Sequence, residues 1–134
     1  MCRLFLRGFA LLLVCSFVFI PVDTSASGYT PCNCTAWAHA KRPDLPSTLG
    51  NARTWATRAH AHGFPVDGTP RVGDVIVLQP GVQGAHGRYG HVAYVIAVHG
   101  NQVTATEMNG GSGCGVRRAT YFTGRGVSFI HRKG

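Results

Sequence analysis

The sequence predicts an α+β domain in which N-terminal helices pack on an antiparallel β-sheet. Two observations lead to this fold class. Segments with apolar residues at helical spacing come first, and short segments rich in Val and Ile follow after Gly63. The Gly100-Asn101 pair between two such segments is a tight-turn signal, which predicts a hairpin and therefore antiparallel pairing. At 134 residues the chain suits one domain.

The first 26 residues have the pattern of a secretory signal peptide. A short basic start precedes an almost wholly apolar stretch, 4–20, and small residues then predict cleavage after Ala26. The apolar stretch is short and lacks a charged stop-transfer segment, so we expect no stable membrane anchor. An uncleaved anchor and lipid attachment at Cys15 are the alternatives. The expected domain spans 27–134.

Two helices are predicted in the first half of the domain. Asn33 is a favoured cap for a helix over 34–41, because its side chain can satisfy a free backbone N–H. Pro43 ends that helix, since proline cannot donate to the helical ladder. A second helix is predicted over 52–62, with a buried alanine and tryptophan face, and Gly63 ends it.

The second half of the chain is predicted to form strands joined by glycine-rich loops. The segment 64–74 is a turn-rich loop, and the loops at 80–90 and 110–115 are rich in glycine. Strands are predicted over 75–79, 91–98, 102–108, 116–122 and 127–132.

The chain is strongly basic, and this bounds its partners. Its net charge is +8, and removal of the signal peptide leaves +7. Such a charge favours an anionic partner. The basic residues are scattered and do not alternate with aromatic residues, so we expect an acidic cell envelope and no nucleic acid. A merely solvated surface is the alternative.

The cysteine count points to one bonded pair and one thiol. Removal of the signal peptide leaves Cys32, Cys34 and Cys114. Outside a reducing cytosol, three cysteines form one pair and leave one sulfur over. A thiol that survives export needs a function.

A nucleophile with a base is one such function. Cys34 lies at a helix start, and helix N-termini and nearby imidazolium groups both favour the thiolate form of cysteine. Counting from the hairpin turn places His91 opposite 108–110, near Glu107 and Asn109, either of which can orient an imidazole. Glu107 is the only glutamate in the chain. Taken singly, each residue also suits a structural role.

Several motifs in order resemble the CHAP family of cysteine, histidine-dependent amidohydrolases and peptidases. They are "NCTAWA", "GNA" with a following Trp, "GDV", "GHVAYV" and "EMN". The resemblance covers 30–110 and implies a papain-like α+β fold that cleaves peptidoglycan amide or peptide bonds. It implies Cys34 as nucleophile, His91 as base, and Glu107 with Asn109 as the residues that orient His91.

Five further residues are candidates for the substrate groove. Asn33 stands where the family usually has Gln, so it either alters an oxyanion contact or only caps the helix. The others follow the nucleophile by one turn or lie on the loop before His91, where core packing or an exposed loop is the alternative. The groove candidates are Asn33, Trp37, His86, Arg88 and Tyr89.

With Cys34 as nucleophile, a disulfide between Cys32 and Cys114 is the hypothesis for the remaining pair, since a Cys32–Cys34 bond would close a very tight ring. We expect no metal and no cofactor, because the aspartates are far apart in sequence and the Cys and His spacings match no common zinc module. The expected protein is a secreted or cell-envelope monomer acting on bacterial peptidoglycan. The alternative function is a catalytically weak or inactive wall-binding module.

Overall fold

The structure, a computed structural model, describes residues 28–109 and 113–134. The predicted signal peptide therefore lies outside the described residues. The helical elements are α1 (Cys34–Lys41), a 3-10 turn (Ala52–Thr54) that leads into α2 (Trp55–Ala61), and a 3-10 turn (Val82–Gly84). The strands are β1 (Val66–Asp67), β2 (Val75–Leu78), β3 (His91–His99), β4 (Gln102–Glu107), β5 (Arg117–Phe122) and β6 (Val127–Ile130).

The six strands form one sheet in the order β1-β6-β2-β3-β4-β5, and every neighbouring pair is antiparallel. The hairpin between β3 and β4 has the predicted turn, with Val98 opposite Val103. The α+β class with helices followed by an antiparallel sheet is confirmed. The hairpin places the start of β3 beside the end of β4.

Both faces of the sheet are buried, which explains the continuous apolar run of β2. Val75 and Val77 face the helices and pack with Trp55, which is fully buried. Ile76 and Leu78 point to the other face, into a second cluster of apolar side chains. This alternation follows from the two-residue period of a strand. The helices are thereby fixed on one face, with α1 packed against β3.

The loop predicted over 64–74 contains the short strand β1. Val66 pairs with Ile130 and Asp67 with Phe129, so β1 closes the edge of the sheet beside β6. Two residues between a proline and a glycine carry no strand periodicity. The pairing depends on a segment more than sixty residues away, and local sequence cannot report it.

Candidate active site

The candidate nucleophile Cys34 is the first residue of α1. It is a free cysteine and is 8% exposed. The side-chain oxygen of Asn33 accepts a hydrogen bond of 2.8 Å from the backbone N–H of Cys34, and the carbonyl of Asn33 accepts one from Trp37. Asn33 therefore caps the helix as predicted, and the cap fixes the position of the thiol at the helix start.

The candidate base His91 is the first residue of β3, and a close backbone approach fixes it. The preceding residue, Gly90, has φ +73°, and a Cβ there would lie 2.6 Å from the carbonyl oxygen of Leu78. The carbonyl of Tyr89 also accepts a hydrogen bond of 2.8 Å from the backbone N–H of Arg53. Only glycine fits this position without strain.

A β-bulge puts Glu107 on the same face of the sheet as His91. Val98 pairs with Val103 near the turn, but Val95 pairs with Ala105, so the register shifts by one residue between Val95 and Ala97. Because side chains alternate along a strand, a shift of one residue changes which side chains share a face. Without the bulge, His91 and Glu107 would point to opposite faces.

Glu107 lies at the end of β4 and is fully buried, with both carboxylate oxygens occupied. Oε2 accepts hydrogen bonds of 2.5 Å from Nε2 of His91 and from the hydroxyl of Tyr121. Oε1 accepts one of 2.8 Å from Nε of Arg117. A buried carboxylate is stable only when its lone pairs are satisfied, and this one is. Because Nε2 is bonded to Glu107, Nδ1 is the ring nitrogen of His91 left for its interaction with Cys34.

The charges of His91 and Glu107 are mutually stabilised. Burial alone would lower the pKa of His91, but hydrogen bonding and charge interactions with Cys34 and Glu107 outweigh it and raise the pKa of His91 from 6.5 to about 9. Burial likewise opposes ionisation of Glu107, yet its bonds to His91, Tyr121 and Arg117 lower its pKa to about 2. Burial and the adjacent carboxylate raise the pKa of Tyr121. At neutral pH the pair is imidazolium and carboxylate.

Cys34 and His91 open onto a cleft of about 460 Å³. Four other candidates from the sequence line it, namely Asn33, His86, Tyr89 and Asn109. The rings of His86 and Tyr89 stack with centroids 4.8 Å apart. Five further lining residues belong to the quoted motifs without having been named as site candidates, and they are Thr35, Gly50, Asn51, Ala52 and Gly90. The remaining three, outside any quoted motif, are Gly28, Tyr29 and Thr30.

Two groove candidates lie elsewhere than predicted. Trp37 does not line the cleft, because its indole N–H donates to the hydroxyl of Thr106 at 3.1 Å and its ring lies under the ammonium of Lys41. It packs α1 on β4 instead. Arg88 is exposed and is not among the residues that line the cleft. Its guanidinium lies over the ring of Tyr89, 5.3 Å from the centroid.

The structure distinguishes the two residues proposed to orient His91. Glu107 makes the hydrogen bond, whereas Asn109 is exposed and lines the cleft. The backbone N–H of Cys34 is occupied, because it donates to the side-chain oxygen of Asn33. Since the amide oxygen of Asn33 makes that bond, its NH₂ group is the part left for a ligand.

Arg117 and Tyr121 are the site residues that sequence reasoning missed. Both lie on β5, where Arg117 pairs directly with Glu107. Their alternate positions place both side chains on one face of the strand. That spacing is readable in the sequence, but their proximity to Glu107 depends on the pairing of β5 with β4, which the sequence did not predict.

Cys32 and Cys114 form a disulfide bond, the pairing that the sequence suggested. Their Cα atoms are 4.5 Å apart, and the bond ties the segment before α1 to the segment before β5. Cys32 has φ +63°, a backbone conformation that non-glycine residues rarely adopt. The disulfide leaves Cys34 as the free cysteine of the described residues.

Two further observations concern only residues 28–109 and 113–134. No group of three or more His, Cys, Asp or Glu side chains there is arranged to hold a metal ion. No helix in this part of the chain has the length and apolar character needed to cross a membrane.

The amino-acid sequence is similar to those of two secretory antigens of Staphylococcus aureus. The chain is 41% identical over 90 residues to Staphylococcal secretory antigen SsaA of Staphylococcus aureus strain NCTC 8325, covering 66% of this chain and 33% of the relative. It is 38% identical over 108 residues to ssaA2 of the same strain, covering 77% and 38%. The chain therefore spans about a third of the length of these curated relatives.

A solved structure shares the fold. The crystal structure of N-acetylmuramoyl-L-alanine amidase from Staphylococcus aureus superposes with a TM-score of 0.67 at 26% identity, covering 75% of this chain and 30% of that one. The sequence model of the CHAP domain matches residues 24–109, which include Cys34, His91 and Glu107. Sequence, fold and the placement of these three side chains agree, and the chain belongs to the CHAP domain family.

Proposed function

We propose that this protein is a secreted cysteine hydrolase that cleaves amide or peptide bonds of bacterial peptidoglycan. The bond is either the one cut by an N-acetylmuramoyl-L-alanine amidase or one within the stem peptide or cross-bridge. The observation that carries the proposal is the interaction of a free thiol at a helix start with His91, whose other ring nitrogen is bonded to Glu107. A nucleophile, a base and an orienting group are the minimum for acyl transfer.

The proposed reaction proceeds through an acyl-enzyme. The thiolate of Cys34 attacks the carbonyl carbon, and the imidazolium of His91 protonates the leaving amine through Nδ1. Neutral His91 then takes a proton from water, which attacks the thioester and releases the acid. Glu107 stays ionised and stabilises the imidazolium.

The oxyanion needs hydrogen-bond donors at the helix start. The side-chain NH₂ of Asn33 is free there while its oxygen caps the helix, and the backbone N–H of Cys34 becomes available when that oxygen rotates away. Rotation costs the cap hydrogen bond, so we expect Asn33 to affect turnover as well as helix stability.

The charge distribution supports an anionic substrate. Each acidic side chain of the described residues contacts an arginine or histidine side chain, and these acidic residues are Asp44, Asp67, Asp74 and Glu107. The unpaired charge is therefore basic, which favours attraction to an acidic cell wall. The names of the relatives, secretory antigens and an amidase, support secretion and this reaction class.

Release of dye from labelled, insoluble peptidoglycan tests the proposal. We expect Cys34→Ala and His91→Ala each to abolish release. His60→Ala, a change at an exposed histidine of α2, is the matched control and should leave release unchanged. Full release by either site variant contradicts the mechanism. Binding to the insoluble wall without release by wild type would support the wall-binding module instead.

A further inference from the structure

A second, smaller cavity of about 170 Å³ adjoins the cleft beside His91. The two cavities share His86, His91 and Asn109, so a substrate held over Cys34 can extend from one into the other. The lining of the smaller cavity is completed by Gly84, Arg117 and Tyr121. None of these six lining residues is acidic.

Arg117 brings an available cationic edge to this cavity. Its Nε donates to Glu107, and its side chain is 56% exposed. Among the described residues, neither terminal nitrogen of its guanidinium has a hydrogen-bond partner. Two parallel N–H groups on one edge of a guanidinium match the two oxygens of a carboxylate.

His86 adds a second donor of fixed tautomer. Its Nδ1 accepts hydrogen bonds from the backbone N–H groups of Arg88, at 3.1 Å, and Tyr89, at 3.2 Å. A neutral imidazole carries one proton, so that proton is on Nε2. His86 lines both cavities and therefore offers an N–H donor where they meet.

The negative charge of the carboxylate nearest this cavity is offset by the imidazolium of His91 and the guanidinium of Arg117. Both oxygens of Glu107 are occupied, and the group is buried beneath His91 and Tyr121. The hydroxyl of Tyr121 donates inward to Glu107. The groups left for a ligand therefore include the N–H donors of His86 and Arg117, and Arg117 is a permanent cation.

We propose that this smaller cavity binds a carboxylate of the substrate's peptide, with Arg117 as its charged partner. The proposal rests on the proposed function, because it assigns a specificity site to the same cleft. It makes Arg117 a substrate-recognition residue in addition to a partner of Glu107.

Calorimetric binding of soluble peptidoglycan fragments, made with a muramidase, tests this site in a Cys34→Ala background. The same fragments, with their carboxylates converted to carboxamides by carbodiimide and ammonium, are the comparison ligand. We expect amidation to weaken binding about tenfold or more, as loss of a charged hydrogen bond does. Arg117→Gln should remove that difference. Arg118→Gln, an exposed arginine on the opposite face of β5, should retain it.

Three results overturn the carboxylate site. The Cys34→Ala protein binds the acid and amide fragments equally, or it binds neither of them. Alternatively, Arg117→Gln leaves the ratio of the two affinities unchanged. If Arg117 acts only through Glu107, both ligands weaken equally, and the proposal fails. The outcome is separable from the hydrolase proposal. If binding is acid-selective and depends on Arg117, but wild type releases no fragments, the carboxylate site stands and the hydrolase proposal is refuted. If wild type releases fragments but binding is not acid-selective, the hydrolase proposal stands and the carboxylate site is refuted.

Discussion

The exchange of Glu107 for Gln tests how the buried carboxylate controls His91. The substitution keeps the size of the side chain and removes its charge. The pKa of His91 lies at about 9 instead of 6.5, which corresponds to about 3 kcal/mol in favour of the imidazolium, shared between Cys34 and Glu107. A hydrogen bond to a charged group stabilises by about 1.4 kcal/mol more than a hydrogen bond between neutral groups. We therefore expect Glu107→Gln to lower the pKa of His91 to about 8 or below.

The assay is the pH dependence of kcat/KM for fragment release. Its descending limb reports loss of the imidazolium proton, so it should lie near pH 9 in wild type and at least about one pH unit lower in Glu107→Gln. We also expect activity at pH 7 to fall by about a hundredfold. Asp67→Asn makes the same chemical change on the edge strand β1 and should move neither value. An unchanged descending limb in Glu107→Gln refutes the reasoning.

The free energy of unfolding should also depend on the charge pair of His91 and Glu107. Because the folded-state pKa of His91 is raised, its contribution is complete below pH 6.5 and is lost as pH rises through about 9. Because the pKa of Glu107 is lowered, its contribution is present above pH 4.5 and is lost as pH falls through about 2. In urea unfolding, Glu107→Gln should lower the free energy of unfolding by about 1–3 kcal/mol between pH 4.5 and 6.5, where both contributions are complete. The loss should be smaller above pH 9. An equal cost at all pH values contradicts the charge pairing.

Three further substitutions test the supports of the site. Cys114→Ser removes the bond to Cys32 and should lower the free energy of unfolding by about 2–4 kcal/mol in urea; unchanged stability contradicts a structural disulfide. Asn33→Ala removes the helix cap and should cost about 1 kcal/mol, while Asn33→Asp keeps the accepting oxygen and should regain it, as thermal unfolding would report. Gly90→Ala places a methyl group against the carbonyl of Leu78, so we expect at least about a tenfold loss of kcat/KM; full activity would show that the approach can relax.

The sequence was sufficient for the elements that local chemistry defines. The cap at Asn33, the glycine after α2 and the Gly100-Asn101 turn each act within a few residues of the structure they specify. Once the hairpin is given, counting from the turn places the start of β3, with His91, beside the end of β4, with Glu107, but it does not decide which face each side chain takes. The order of the motifs, from "NCTAWA" to "EMN", then links Cys34 to this hairpin through the family resemblance.

The remaining features depend on contacts between distant segments. The bulge near Val95 places Glu107 on the same face of the sheet as His91, and no residue at the bulge predicts it from the sequence. The register does not separate Glu107 from Asn109, because residues two apart on a strand share a face; Glu107 is the last residue of β4, and Asn109 lies beyond its end. Arg117 and Tyr121 reach Glu107 only because β5 pairs with β4. Such pairings are set by tertiary packing, which local propensity cannot encode.

The central claim is tested most directly by mass spectrometry of fragments released from purified peptidoglycan, with wild type and Cys34→Ala in parallel. The account predicts fragments from wild type alone, with new amino and carboxyl termini at one kind of amide bond, which would also identify that bond. The absence of fragments from folded wild type with a reduced Cys34, or identical fragments from both proteins, would contradict the assignment of Cys34 as the nucleophile of a peptidoglycan hydrolase.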